Sequence, residues 1–242
     1  MPARPDTAPE PTVKETFGAF RAGYTERPAD EDWAAILDRL QRAPEKSADP
    51  LGGRVATALI DLPHWGRVVM KHYARGGLMR YVSRRLHLRS RTSRAAGEFA
   101  TLQRLLAAGV PVPQPLLWVE TGMLFTENWL IITEIPEAQS LADIARQDPA
   151  RSEALIPRVV AMVEKLIELR IHHVDFHPGN VLINAQDEVF PIDFDKALVS
   201  PRSQSELSAR YRNRWNRAIA KHGLPTALEF SVDFNSLDPS PS

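Results

Sequence analysis

The stretch His172-His173-Val174-Asp175-Phe176-His177-Pro178-Gly179-Asn180 concentrates side chains that can move protons or hold cations. It runs into the apolar Val181-Leu182-Ile183. After a second apolar pair, Val189-Phe190, comes Ile192-Asp193-Phe194-Asp195. Two short strands thus bracket a polar loop and end in an acidic residue, an arrangement that can bring a carboxylate, an amide and a second carboxylate together. Phosphoryl transfer uses that set: one carboxylate accepts a hydroxyl proton, and the other oxygens bind Mg2+. The plainer reading makes Asp175 and Asn180 turn residues around Pro178-Gly179, but it leaves Asp193 without a reason. His173 supports the loop by packing and hydrogen bonding. His177 makes a structural hydrogen bond or contacts a phosphate. Asp195 either backs the metal ligand or ends a strand.

A second group lies earlier. Glu98, Leu102 and Leu105 recur at i, i+4 and i+7 in a helix predicted over residues 94–108, so Glu98 points along the buried face. A carboxylate there is costly unless a cation meets it; the alternative is a flank position reaching solvent.

The elements that must position these groups follow from periodicity and punctuation. An acidic first turn and the stripe Trp33, Ile36, Leu37, Leu40 predict a helix over 29–42. Gly52–Leu62 and Gly66–Tyr73 read as strands joined by a turn at Pro63-His64-Trp65-Gly66. Gly52-Gly53 is a plain turn or a phosphate-covering one. Phe99, Leu102, Leu105 and Leu106 mark the buried face of the helix over 94–108, which Gly109 stops. Pro111, Pro113 and Pro115 force an extended connection. Leu116–Glu120 and Trp129–Glu134 are strands, Ser140–Gln147 and Pro157–Leu169 helices, the latter with apolar rows Val160/Val163/Ile167 and Met162/Leu166/Leu169. A last, cationic helix spans Glu206–His222. Strands before residue 135 and helices after it give an α+β molecule of two lobes. The expected organisation is a flexible segment 1–28, an N-lobe 29–135 with its preceding helix, a C-lobe 136–230 and a flexible tail 231–242.

Composition excludes several classes. The chain has 242 residues, 30 Lys+Arg against 30 Asp+Glu, 43% apolar residues and no Cys. That rules out a disulfide scaffold, thiolate-bound zinc, an iron–sulfur site and a thiol nucleophile. No apolar run reaches the ~18–20 residues a bilayer span needs, and the Pro-rich start is not a secretory signal. Zero net charge argues against a protein built around nucleic acid.

The Asp-x-x-x-x-Asn loop with a later Asp-Phe-Asp resembles the catalytic loop and metal motif of the protein-kinase-like superfamily. The form HxDxHPGN is similar to that of the lipopolysaccharide kinase family, and most of all to its Kdo kinase branch. The resemblance takes in Val69-Met70-Lys71-His72-Tyr73-Ala74-Arg75-Gly76-Gly77-Leu78, Ser93-Arg94-Ala95-Ala96-Gly97-Glu98-Phe99, Gly109-Val110-Pro111-Val112-Pro113-Gln114-Pro115 and Thr133-Glu134-Ile135-Pro136. It implies a two-lobed kinase-like fold, with a small β-rich N-lobe and a short helical C-lobe, that uses ATP and Mg2+. Lys71 would hold the α/β phosphates and pair with Glu98; Asp175 would be the base; Asn180 and Asp193 would bind the metal. Glu134 and Ile135 would carry the nucleotide base, and Gly52-Gly53 would cover the phosphates. The acceptor would be a sugar hydroxyl of a glycolipid, Kdo on a lipid A precursor before a heptose or another small molecule. A noncatalytic binding module with this fold is the alternative of a different class.

Two departures matter. Val174 stands where protein kinases carry Arg, and no Ala-Pro-Glu follows Asp193, both of which favour a small-molecule or glycolipid kinase. No acidic residue occurs between Leu62 and Gly97, where Lys71, Arg75, Arg80, Arg84, Arg85, Arg89, Arg91 and Arg94 lie. Such an excess marks an anionic partner, or else a solvated face. The expectation is contact of the Arg75–Arg94 stretch with the cytoplasmic face of the inner membrane by a cytoplasmic enzyme. No specific nucleic acid is expected, and oligomeric state is open.

Overall fold

The computed structural model describes residues 13–41, 56–73, 93–121, 127–231 and 234. The chain divides into two compact units, 1–107 with 113–134 and 108–112 with 135–242.

The first unit is built on a six-stranded antiparallel sheet of order β1-β2-β5-β6-β4-β3. Its strands are β1 (Val13–Phe17), β2 (Phe20–Tyr24), β3 (Ala56–Leu62), β4 (Gly66–Tyr73), β5 (Pro115–Thr121) and β6 (Glu127–Thr133). The expected hairpin of β3 and β4 pairs Leu62 with Gly66, and Gly66 supplies the left-handed turn residue (φ 66°). Residues 13–24 correct the reading of 1–28 as a flexible segment: they form the β1–β2 hairpin. Phe17 and Phe20 flank a tight turn, and Ala22 and Tyr24 are buried in the core. Gly23 faces Trp118 across the β2–β5 pair, where a Cβ would lie 2.4 Å from the indole. A larger residue there would push β2 off the sheet.

Alternation along β4 decides which side chains face which layer. Val68 and Met70 join Leu117, Val119, Trp129 and Ile131 in one core. Helix α1 (Asp30–Gln41) adds Ile36 and Leu40 to that core, with Trp33 and Leu37 packed partly buried against it. Lys71, opposite Leu130, therefore belongs to the other face. Helix α2 (Arg94–Ala107) buries Glu98, Phe99, Leu102 and Leu105. Leu106, expected on that buried face, is 37% exposed, because it lies one position beyond the stripe that Leu102 and Leu105 define. Gly109 follows the helix at φ 74°.

The second unit holds three helices, α3 (Leu141–Gln147), α4 (Pro149–Glu168) and α5 (Gln204–His222), and two small sheets. Ser140 caps α3 rather than opening it: its side chain accepts from Asp143 N. Helix α4 starts eight residues before the expected Pro157. Asp148 caps it by accepting from Arg151 N, and Pro149 occupies the first turn, where its missing N–H costs nothing. Pro157 sits on the exposed side, and the buried stripe is Leu155, Val159, Met162, Val163, Leu166 and Ile167. Helix α5 opens on a capping box between Ser203 and Glu206 and closes at Gly223 (φ 61°).

The short strands are β7 (Gln139–Ser140), β8 (Ile171–His172), β9 (Val181–Ile183), β10 (Val189–Pro191) and β11 (Leu198–Val199). β9 pairs with β10 and β7, and β8 with β11. A chain of rings fills this unit: Phe176 stacks on Trp215 (5.1 Å, 24°), and Trp215 on Phe230 (4.5 Å, 11°). Phe234, placed by sequence in a flexible tail, is buried against Phe230 and donates from its N–H to Ser208 Oγ. No helix among the described residues is long and apolar enough to cross a membrane.

Candidate active site

In the first unit β4 carries Lys71 and α2 carries Glu98. Lys71 Nζ donates to Glu98 Oε1 at 2.6 Å, with both side chains almost fully buried. Tyr73, two residues along the same face of β4, donates its hydroxyl to Glu98 Oε2. The Tyr73 ring lies 5.6 Å from Lys71 Nζ and 5.1 Å from the Arg94 guanidinium. Both carboxylate oxygens thus have a donor, which is what a buried charge requires. Tyr73 was not singled out in the sequence; the period-two alternation that put Lys71 on this face was the available signal.

Glu134 follows β6. Its N–H donates to Arg67 O at 3.3 Å and its side chain lies 3.4 Å from Arg67 Nε. The chain passes from the first unit to the second between Glu134 and Ile135. Gly52, Gly53 and the basic stretch from Arg75 to Arg91 lie outside the described residues.

In the second unit the polar loop is held at both ends. Before it, Arg170 takes a left-handed conformation (φ 57°), and β8 pairs with β11. Tyr211 of α5 donates to Ile171 O at 2.9 Å and accepts from His173 N at 3.0 Å. Burial pushes its hydroxyl pKa well up, so it stays a phenol that can serve both partners. His173 Nε2 donates to Ile192 O at 2.8 Å, and its ring lies 4.7 Å from that of Phe194.

His177 Nδ1 accepts from Gly179 N at 3.0 Å, the structural bond that was one of its two expected roles. Burial lowers its pKa to about 4, against the opposing charge of Asp175, so the ring is neutral at physiological pH. Asn180 Nδ2 donates to Asp175 O at 3.0 Å, and Asn180 O accepts from Ile192 N at 3.0 Å.

That last bond continues the β9–β10 ladder, whose pairs are Val181↔Pro191, Leu182↔Phe190 and Ile183↔Val189. Asn180 therefore faces Ile192 at the open end of the hairpin, and Asp193 is the next residue along the chain. With Nδ2 of Asn180 committed, Oδ1 is the side-chain atom left for a cation. Asp193 adopts φ 66°, a left-handed conformation that Asp tolerates better than most residues. One amide oxygen and one carboxylate suit Mg2+, which commonly takes one or two carboxylates and fills its shell with phosphate oxygens and water. Among the described residues no group of three or more His, Cys, Asp or Glu forms a metal cage of its own.

Asp175 has a partner on the last helix, which the sequence marks only as cationic. Arg214 of α5 donates from Nη2 to Asp175 Oδ1 at 2.5 Å. Burial pushes the Asp175 carboxyl up, but the Arg214 hydrogen bond and charge, with lesser help from His177 and Lys196, carry it below the ordinary value. It is an ionised acceptor at neutral pH. The only signal in the sequence was the spacing of Tyr211, Arg214 and Trp215 on α5, whose partners lie some forty positions away.

Comparison with known proteins follows the same lines. The model of the lipopolysaccharide kinase (Kdo/WaaP) family matches residues 39–218. The chain is 28% identical over 229 residues to a 3-deoxy-D-manno-octulosonic acid kinase of Vibrio vulnificus (strain YJ016), covering 93% of this chain and 95% of that one. It is 31% identical over 189 residues to the protein of that name from Haemophilus influenzae (strain 86-028NP), covering 74% and 77%.

Proposed function

The chain belongs to the lipopolysaccharide kinase (Kdo/WaaP) family, and from that premise we propose that it transfers the γ-phosphate of ATP to a hydroxyl of 3-deoxy-D-manno-octulosonic acid on a lipid A precursor. The observation that supports the reading is the hairpin end where Asn180 bonds to the backbone of Ile192, the residue before Asp193, and to the backbone of Asp175. The acceptor follows from the names of the relatives.

Each residue has one task. Asp175, ionised and anchored through its loop, accepts the proton of the attacking hydroxyl. Lys71, braced by Glu98, holds the α/β phosphates and keeps the triphosphate from drifting during transfer. Asn180 and Asp193 hold Mg2+, which when bound offsets charge on the β and γ phosphates. Tyr211 fixes the backbone that leads into the base, and His173 ties it to Ile192, the residue before Asp193. Glu134 and Ile135 hold the nucleotide base by their main chain, and the glycines at 52 and 53 cover the phosphates. In this reading the enzyme works at the cytoplasmic face of the inner membrane, with the Arg75–Arg94 stretch meeting anionic headgroups.

Phosphate transfer from labelled ATP with Mg2+ to a panel of Kdo–lipid A precursor, heptosylated core, aminoglycoside and protein acceptors tests the reading. Label on the Kdo acceptor supports it. Label on heptose alone moves the acceptor to the neighbouring sugar, and label on none removes the kinase assignment.

A further inference from the structure

The cation against Asp175 has a use beyond holding a loop. Among the described residues, the one hydrogen-bond partner of the Arg214 side chain is Asp175, although a guanidinium carries five N–H donors. The two side chains are 31% and 37% exposed, so the remaining donors are open to a ligand. Arg210, Arg214, Arg217 and Lys221 recur at i, i+4, i+7 and i+11 and share one face of α5. Arg210, Arg217 and Lys221 are exposed and form no ion pair among the described residues. The Arg214–Asp175 contact fixes where this stripe runs: past the proposed base.

A hydroxyl that gives its proton to Asp175 must come within about 3 Å of it. Any anionic group a few atoms from that hydroxyl then meets the free edge of the Arg214 fork. We propose that Arg214 reads the carboxylate of an acidic acceptor sugar, holding it in a bidentate pair while the neighbouring hydroxyl faces Asp175. This rests on Asp175 being the base of a kinase for a ulosonic acid. The planar fork of Arg matches a carboxylate in a way that Lys does not. A neutral sugar such as a heptose offers no counter-charge at this position, so Arg214 selects between the acceptors of the inner core.

The test uses the full chain, saturating Mg-ATP, and two acceptors: a Kdo–lipid A precursor and the same molecule with its Kdo carboxyl group methyl-esterified. The lipid and its phosphates are common to both, so the ratio of KM values reports the carboxylate alone. For the wild type the ester should have a KM about 10- to 100-fold higher, the loss expected for charge-assisted hydrogen bonds. In Arg214→Gln the ratio should fall to near one, and Arg214→Lys should lie between. A loss of stability or turnover in a variant affects both acceptors alike and leaves the ratio readable. If Arg214→Gln turns over neither acceptor, calorimetric affinities for the two give the same ratio. A wild-type ratio near one with the acid still phosphorylated overturns the inference and leaves the kinase assignment standing, as does a Gln variant that keeps the wild-type ratio. Failure of the wild type to phosphorylate either acceptor strikes the Kdo acceptor of the proposed function, and this inference with it.

Discussion

Tyr211→Phe removes one oxygen atom and nothing else. The ring keeps its edge contacts with Phe176 at 5.3 Å and with His172 at 6.3 Å. What disappears is the donor to Ile171 O and the acceptor for His173 N, in a residue only 1% exposed. Each buried backbone group left without a partner costs about 1–3 kcal/mol. The pair should therefore cost about 2–5 kcal/mol, a large part of the 5–15 kcal/mol typical of a whole domain. Denaturant titration should show a lower midpoint at unchanged slope, and Tm should drop by about 5–15 °C at roughly 2–4 °C per kcal/mol for a chain of this size. Because the two lost bonds bracket the entrance to the Asp175 loop, kcat should fall about 10²-fold, the scale of an ångström-sized misplacement of a catalytic group. A stability loss below ~1 kcal/mol at unchanged slope would refute the claim that this hydroxyl carries two buried backbone groups.

Asp175→Asn should leave ATP affinity largely intact and cut turnover by about 10²–10⁴; unchanged turnover would rule it out as the base. Asp193→Ala should abolish the gain in nucleotide affinity that Mg2+ gives the wild type, as read by titration with and without metal. Glu98→Gln strips the counter-charge from the buried Lys71 and should destabilise the protein by about 2–4 kcal/mol while raising KM for ATP; a variant as stable as wild type would contradict the pair's burial. His177, lowered to about 4, is neutral when folded and charged when unfolded between that value and its ordinary 6.5. Its contribution is therefore full above 6.5 and lost as pH falls toward 4, on the order of 2–3 kcal/mol. His177→Asn, which keeps a side-chain acceptor for Gly179 N–H, should flatten the stability profile in that window.

Local rules carried the sequence reading as far as local physics reaches. Apolar runs and turns identified β3, β4, β5 and β6, and the 3.6-residue period identified α1 and α2, because each of these patterns is complete within one short stretch of chain. The β1–β2 hairpin escaped because its strands are short and half polar; it gains stability from partners distant in sequence, by pairing with β5, where Gly23 lies under Trp118, and by burying Ala22 and Tyr24 in the core. The first two turns of α4 escaped because a Pro at position 157 was read as a start, whereas Asp148-Pro149 supplies the cap. The polar loop was legible because its residue types are close together in sequence. Its supports were not: Tyr211, Arg214 and Trp215 look like any amphipathic helix until the tertiary fold sets them against Ile171, Asp175 and Phe176.

The most direct measurement takes wild type and Asp175→Asn, Mg-ATP and a Kdo–lipid A precursor, and locates the new phosphate by 31P NMR and tandem mass spectrometry. The account predicts a single phosphomonoester on the Kdo residue from the wild type and almost none from the variant in the same time. A phosphate on another sugar, or equal yields from the two proteins, would contradict it.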